Sequence, residues 1–451
     1  MIDLLHDLIK KPILYLASKL SARQFLILSS ILVGLTSGLA AVAVKYVVHT
    51  IGQLVSFYST NYEEFFLFAL FPTVGLLLTV FYVRYFLNGK LPKGNPEIVY
   101  AIAKKSSKIP AEETYAHTIT SALTVGFGGS MGLESPMVST GSAIGSNYGI
   151  TYKRSYKERT ILLACGASAG IAAAFNSPIA GVLFAIEVLL ADVSSAAFIP
   201  LIIAAASGAL VSKIILQEGI TLSFSLQQPF DYRNVPFYIL LGIAAGLVSL
   251  YYTRVYTWTE NRIHQVGNGW TRAITGGLLL FVMIVLLPPL FGEGYGTIKQ
   301  LASLEPQTLF HNSILFPIFG GDGEHIVLLA LVILFKPMAA AITIGSGGNG
   351  GNFAPALFVG AYLGYVFARV VKLLGFTDVP ESNFTLVAMA GILSGIFYAP
   401  LTAIFLIAEI TGGYELMIPL MIVSALSLTV THLFETLSMD SRKLAAMLQG
   451  S

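Results

Sequence analysis

Apolar residues do not alternate with polar ones along this chain; they come in long runs. Six windows, 24–44, 65–83, 193–212, 234–253, 273–292 and 416–434, contain no Asp, Glu, Lys or Arg. Each is about as long as the roughly 20 residues a helix needs to cross the hydrocarbon core of a bilayer. The two-residue alternation of a membrane barrel is missing, so helices must satisfy the backbone in lipid. Three stretches break the apolar pattern with Gly, Pro and polar residues: 93–97 (KGNPE), 128–136 (GGSMGLESP) and 345–355 (GSGGNGGNFAP). Glycine admits backbone conformations that other residues resist, and proline suits the first turn of a helix. Each stretch therefore predicts a loop that enters the N-terminus of a broken helix.

Composition agrees with lipid as the solvent. Over 451 residues, 55% are hydrophobic and 11% charged, where a soluble domain carries about a quarter charged. A net charge of +2 with no basic arm speaks against a nucleic-acid partner. The single cysteine, Cys165, excludes an internal disulfide and a cysteine-based metal site. Residues 1–24 read as an amphipathic segment and not as a signal peptide, because Asp3 and Asp7 come first and no cleavage site follows. Lys10, Lys11, Lys19 and Arg23 favour a cytoplasmic N-terminus, and the cluster Lys153, Arg154, Lys157 and Arg159, with Arg442 and Lys443, is expected on the same side. No linker divides the chain, so one membrane domain is expected.

An internal repeat runs through it. Gly132, Pro136, Gly141 and Gly145 share their spacing with Gly351, Pro355, Gly360 and Gly364. Farther on, Gly166 and Gly170 lead to Pro178 and Glu187, as Gly391 and Gly395 lead to Pro400 and Glu409. The Pro-to-Glu spacing is the same, while the Gly-to-Pro spacing differs by three residues. Repeated halves with interrupted helices in matching positions point to a transporter with its site near the midplane. The plain alternative is close helix packing through small residues.

Free N–H groups and a partial positive charge gather at helix N-termini. Several such ends converging would hold a small anion without a fixed cation, weakly enough for it to leave again. Glu134 is the only charged residue between Glu113 and Lys153. A carboxylate at mid-membrane costs roughly 2.5–3.5 kcal/mol on insertion scales and is functional by default. Beside an anion site it would act as a tethered competitor, released by protonation. The plain alternative is a structural glutamate on a short loop.

These residues resemble the CLC family of chloride channels and chloride/proton exchangers. The segment 132–145 (GLESPMVSTGSAIG) is similar to the family's GREGP segment, with Glu134 at the gating glutamate. The segment 351–355 (GNFAP) is similar to its GxFxP segment, whose amides contact the ion, and 172–187 is a typical family run. Tyr414, in GGYELMIP, falls at the tyrosine whose hydroxyl coordinates the central chloride. The resemblance covers about 25–435. It implies an all-α membrane fold of two inverted halves with broken, tilted helices, roughly 25–215 and 235–435, followed by a short cytoplasmic tail, 436–451. It further implies a multi-pass protein of the plasma (inner) membrane, a homodimer with one pathway per subunit, chloride and protons as candidate substrates, and no cofactor, metal or enzymatic activity.

The departures concern mechanism. Where the family has a serine that coordinates the central ion, this chain reads PKGNP over 92–96: either Lys93 takes the place or no residue does. Amides near Gly94 and Asn95, with Asn352 and Phe353, are the remaining candidates for anion contact. Leu133 stands in place of an arginine beside the gate. Val188 stands where many exchangers carry an internal proton-transfer glutamate, which leans the expectation toward passive conduction, with chloride/proton antiport as the alternative. Two other classes remain. Gly128 to Gly132 matches the GxSxG nucleophile elbow, so an intramembrane serine hydrolase would need a His or Lys base near Ser130, the nearest histidine in sequence being His117. A solute carrier for another substrate would show itself by a sodium requirement.

Overall fold

The computed structural model describes residues 20–56, 62–190, 195–216, 224, 228–302, 309–310, 313–315 and 325–449. The amphipathic segment expected over 1–24 thus lies outside the described residues up to position 19. The first half holds α1 (Ala22–Ser56), α2 (Tyr62–Phe86), α3 (Asn95–Lys104), α4 (Glu113–Gly126), α5 (Glu134–Thr151), α6 (Tyr156–Phe175), α7 (Pro178–Phe184) and α8 (Ser195–Ile215). The second holds α9 (Val235–His264), α10 (Gly269–Leu286), α11 (Tyr295–Ala302), α12 (His325–Gly345), α13 (Phe353–Leu373), α14 (Glu381–Phe397), α15 (Pro400–Ile410) and α16 (Met417–Phe434), and α17 (Met439–Gln449) closes the chain. Among the described residues, nine helices are long and apolar enough to cross a membrane. The charge-free windows fall on α1, α2, α8, α9, α10 and α16.

The two halves repeat one another's packing. Helices α1, α6 and α8 pack together as α9, α14 and α16 do, while α2 meets α10 and α7 meets α15 across the halves. Reciprocal contacts mark the axis between them. Gly132 donates its N–H to the Gly351 carbonyl at 3.0 Å, and Gly351 donates back to Gly132 at 2.8 Å. Glu187 accepts the N–H groups of Leu401 (3.0 Å) and Thr402 (2.7 Å) at the start of α15. Glu409 accepts those of Ile179 (3.1 Å) and Ala180 (2.9 Å) at the start of α7. Each carboxylate thus satisfies orphan N–H groups of the other half's short helix. The matched pair is a structural clasp.

The glycines of the first repeat set the crossing of α5 on α6 and of α13 on α14. A Cβ at Gly141 would lie 2.1 Å from the Gly166 carbonyl oxygen, and one at Gly364 would lie 2.1 Å from that of Phe384. The small-residue packing reading therefore holds for Gly141, Gly145, Gly360 and Gly364. The second glycine pair is not equivalent between halves. Gly166 and Gly170 face α5, whereas Gly391 meets Val423 and Ala245, and Gly395 meets Ser249. The three-residue difference in spacing turns the later pair toward α9 and α16.

Candidate functional site

The three interrupted stretches come together. Gly94, Asn95 and Pro96 at the start of α3, Glu134 and Ser135 at the start of α5, and Gly350 to Phe353 at the start of α13 line one cavity. Gly94 takes φ +84°, which glycine tolerates, to aim the chain into α3. None of the three helices has a side-chain N-cap. The N–H groups that a Ser or Asp would ordinarily satisfy are thus left for the cavity. The Phe353 ring packs 5.7 Å from Phe175 and 5.5 Å from Phe397, and Phe397 and Phe184 also line the cavity. Asn352 is held by the Tyr252 hydroxyl, which donates to its Oδ1 at 3.0 Å.

Glu134 is 2% exposed and faces this cavity. Its Oε1 accepts a hydrogen bond from the Tyr295 hydroxyl of α11. The carboxylate folds over Gly132: a Cβ there would fall 2.1 Å from Glu134 Oε2 and 2.6 Å from Ala354 Cβ, so only glycine fits. Tyr295 does not line the cavity and holds the carboxylate from behind. A hydrogen bond to a charged group contributes about 1.5–3 kcal/mol. Tyr295→Phe should therefore release the ionised carboxylate and raise anion flux about tenfold or more at neutral pH, measured in liposomes; flux at the unmodified level would mean that Tyr295 does not hold the gate.

The loops behind the gate are pinned by Lys336, a fully buried residue of α12. Its Nζ donates to Ser130 Oγ at 2.8 Å and to the Gly292 carbonyl at 3.0 Å, and lies 4.6 Å from the centre of the Phe358 ring. Ser130 precedes Glu134 and Gly292 precedes Tyr295, so one ammonium ties together the two loops that carry the gate and its partner. Lys336 also meets the base requirement of the hydrolase reading. Both side chains are 0% exposed, however, and neither lines the cavity that holds Glu134. His117 contacts Glu113 (3.5 Å) and Asn349 (3.4 Å) instead.

Of the other predicted residues, Gly94, Asn95, Asn352 and Phe353 line the cavity and Tyr414 does not. Tyr414 is 58% exposed, in the turn between α15 and α16. Its hydroxyl, expected at the site, belongs to an exposed side chain outside the cavity lining. Residues of α17, expected to be a tail, come in instead. Asp440 and Lys443 line the cavity together with Tyr256 and Lys93. Asp440 Oδ2 accepts from Asn95 Nδ2 at 2.9 Å, and Lys443 pairs with Glu260 at 2.8 Å. Lys93 does enter the region of the missing serine, but its Nζ donates to the carbonyls of Gly348 (2.7 Å) and Gly347 (3.3 Å). Val188 sits in the π-turn Ala185–Leu189, packed against the core and outside the cavity. Among the described residues, no group of three or more His, Cys, Asp or Glu is placed to hold a metal.

Comparison with known proteins agrees with this architecture. The family model described as voltage gated chloride channel matches residues 74–432. A protein of Ralstonia nicotianae, named a putative chloride channel protein ClcB-like, is 29% identical over 390 residues, covering 83% of this chain and 85% of its own. The voltage-gated ClC-type chloride channel ClcB of Escherichia coli is 29% identical over 331 residues, 72% of this chain and 73% of its own. The crystal structure of a slow cyanobacterial Cl-/H+ antiporter superimposes with a TM-score of 0.81 at 22% identity, over 95% of this chain and 99% of that one. That of a CLC-type fluoride/proton antiporter gives 0.73 at 22% identity, over 91% and 96%. With a family model matched over most of its length and its fold shared with CLC transporters, the chain belongs to the CLC family of voltage-gated chloride channels and transporters.

Proposed function

We propose that the protein moves chloride through the cavity between α3, α5 and α13, with the Glu134 carboxylate as its gate. The observation that carries this reading is the convergence of three uncapped helix N-termini on one cavity that also contains Glu134. Peptide N–H groups near Gly94, Asn95, Asn352 and Phe353 hold the anion without a tight ion pair. Ionised Glu134 competes for the same positive ends; a proton neutralises it and frees the path.

Passive conduction is the leading mechanism, because Val188 cannot carry a proton where an exchanger's internal glutamate would stand. Chloride/proton exchange is the second reading. It is favoured by the burial of Glu134, with Tyr295 behind it and the cavity before it, and by the structural likeness to a Cl-/H+ antiporter and a fluoride/proton antiporter. A homodimer in the plasma (inner) membrane, with both termini cytoplasmic, completes the proposal. Purified protein in liposomes separates the mechanisms when chloride efflux and external pH are recorded together, with and without a proton ionophore. Efflux without coupled proton movement supports conduction. Proton uptake driven against its gradient supports exchange, and no anion flux from active liposomes would refute both.

A further inference from the structure

The cavity contains a second carboxylate. Four charged side chains line it: Lys93, Glu134, Asp440 and Lys443. Asp440 does not resemble Glu134 in setting. It is partly exposed, stands on the last helix, α17, and bonds through Oδ2 to the side chain of Asn95, the first residue of α3. That is one of the three N-termini that make the cavity suitable for an anion. The groups around Asp440 are Asn95 and Lys93 ahead of it, Lys443 on its own helix, and Tyr256 and Glu260 from α9, of which Glu260 pairs with Lys443 at 2.8 Å. Glu260 in turn has His264 at 4.0 Å.

The charges nearly cancel before any ligand enters. Two ammonium groups face two lining carboxylates, and Glu260 already occupies Lys443. A chloride ion entering this cluster adds a negative charge to a neutral or negative site. Like charges in a partly desolvated space raise the proton affinity of a carboxylate, so anion entry and proton uptake favour each other. Linkage makes the effect reciprocal.

We propose that Asp440 is a second titratable gate of the anion cavity, which must bind a proton or swing away from Asn95 before an anion settles at the start of α3. This rests on the reading of the cavity as an anion pathway and holds for conduction and exchange alike. Asp440 is the solvent-reached counterpart of buried Glu134. The proton it binds comes from water at the mouth of the cavity and returns there when the anion leaves.

The test is chloride titration of the purified full-length protein by calorimetry in weakly buffered detergent solution, with released or absorbed protons measured at the same time. The wild type should absorb protons as chloride binds. Glu134→Gln should keep part of that uptake. Asp440→Asn should lose the remaining part, bind chloride about tenfold more tightly near neutral pH and show a flatter pH dependence. Asp440→Glu should keep both binding and uptake, which separates titration from a structural role. Wild-type affinity and uptake in Asp440→Asn would overturn the proposal, as would loss of uptake with intact binding in Asp440→Glu. Absence of chloride binding in the wild type would instead overturn the anion reading beneath it.

Discussion

Glu134→Gln is expected to make chloride flux nearly independent of pH. In the wild type the ionised carboxylate is held by Tyr295 and folded over Gly132, facing the cavity. Its protonated fraction falls about tenfold for each pH unit above its titration point, and the open fraction should follow. Glutamine has nearly the same shape and no charge. It keeps the contact with the Tyr295 hydroxyl but no longer competes with an anion for the helix N-termini. Flux should therefore be high and flat between about pH 5 and 8, where the wild type declines. Removing a buried charge also lifts a cost of roughly 2.5–3.5 kcal/mol, so the variant should express at least as well. A pH profile unchanged from wild type would remove Glu134 from the gating role.

Gly166→Val should abolish the fold. The Cβ of any residue at 166 would fall 1.8 Å from the Gly141 carbonyl oxygen and 2.5 Å from its carbon. These are backbone atoms of α5, so no rotamer change relieves the clash. Helices α5 and α6 would have to part by well over an ångström, and α5 carries Glu134 at its start. Overpacking of a tight core costs about 1–3 kcal/mol when side chains can adjust, and a clash between two backbones lies at or beyond the top of that range. The expected result is little or no monodisperse protein by size-exclusion chromatography. Gly52→Ala is the control. No described residue lies within 4 Å of its added Cβ, and the exchange of Gly for Ala inside α1 should stabilise by up to about 1 kcal/mol. A Gly166→Val variant that is as stable as Gly52→Ala would mean that the α5–α6 crossing is looser than drawn.

Much of the site was legible because its parts are local. Gly94 to Pro96, Gly132 to Pro136 and Gly351 to Pro355 each announce a broken helix within a few residues. Glu134 announces itself as a lone charge in a long uncharged stretch. What the chain brings in from afar was not legible. Tyr295 lies 161 positions from Glu134, and no local pattern links them. Lys336 did leave a signal: it is the only Asp, Glu, Lys or Arg in the apolar helix α12, and a lone charge in such a helix marks a functional or structural anchor. Asp440 and Lys443 were hidden by the polarity of α17, which reads as a solvated tail until it packs on α3. Tyr414 misled for the opposite reason. Its local sequence fits the motif, but its side chain is exposed and does not line the cavity. The clasp of Glu187 and Glu409 followed from the repeat in position but not in role, because the capped helices belong to opposite halves.

The central claim is that an anion occupies the cavity between the starts of α3, α5 and α13. Anomalous diffraction from crystals of Glu134→Gln grown in bromide tests it most directly. A bromide peak within hydrogen-bonding reach of the backbone N–H groups near Asn95 and Phe353 is the predicted result. Bromide bound only outside this cavity, in crystals of a variant that still transports chloride, would contradict it.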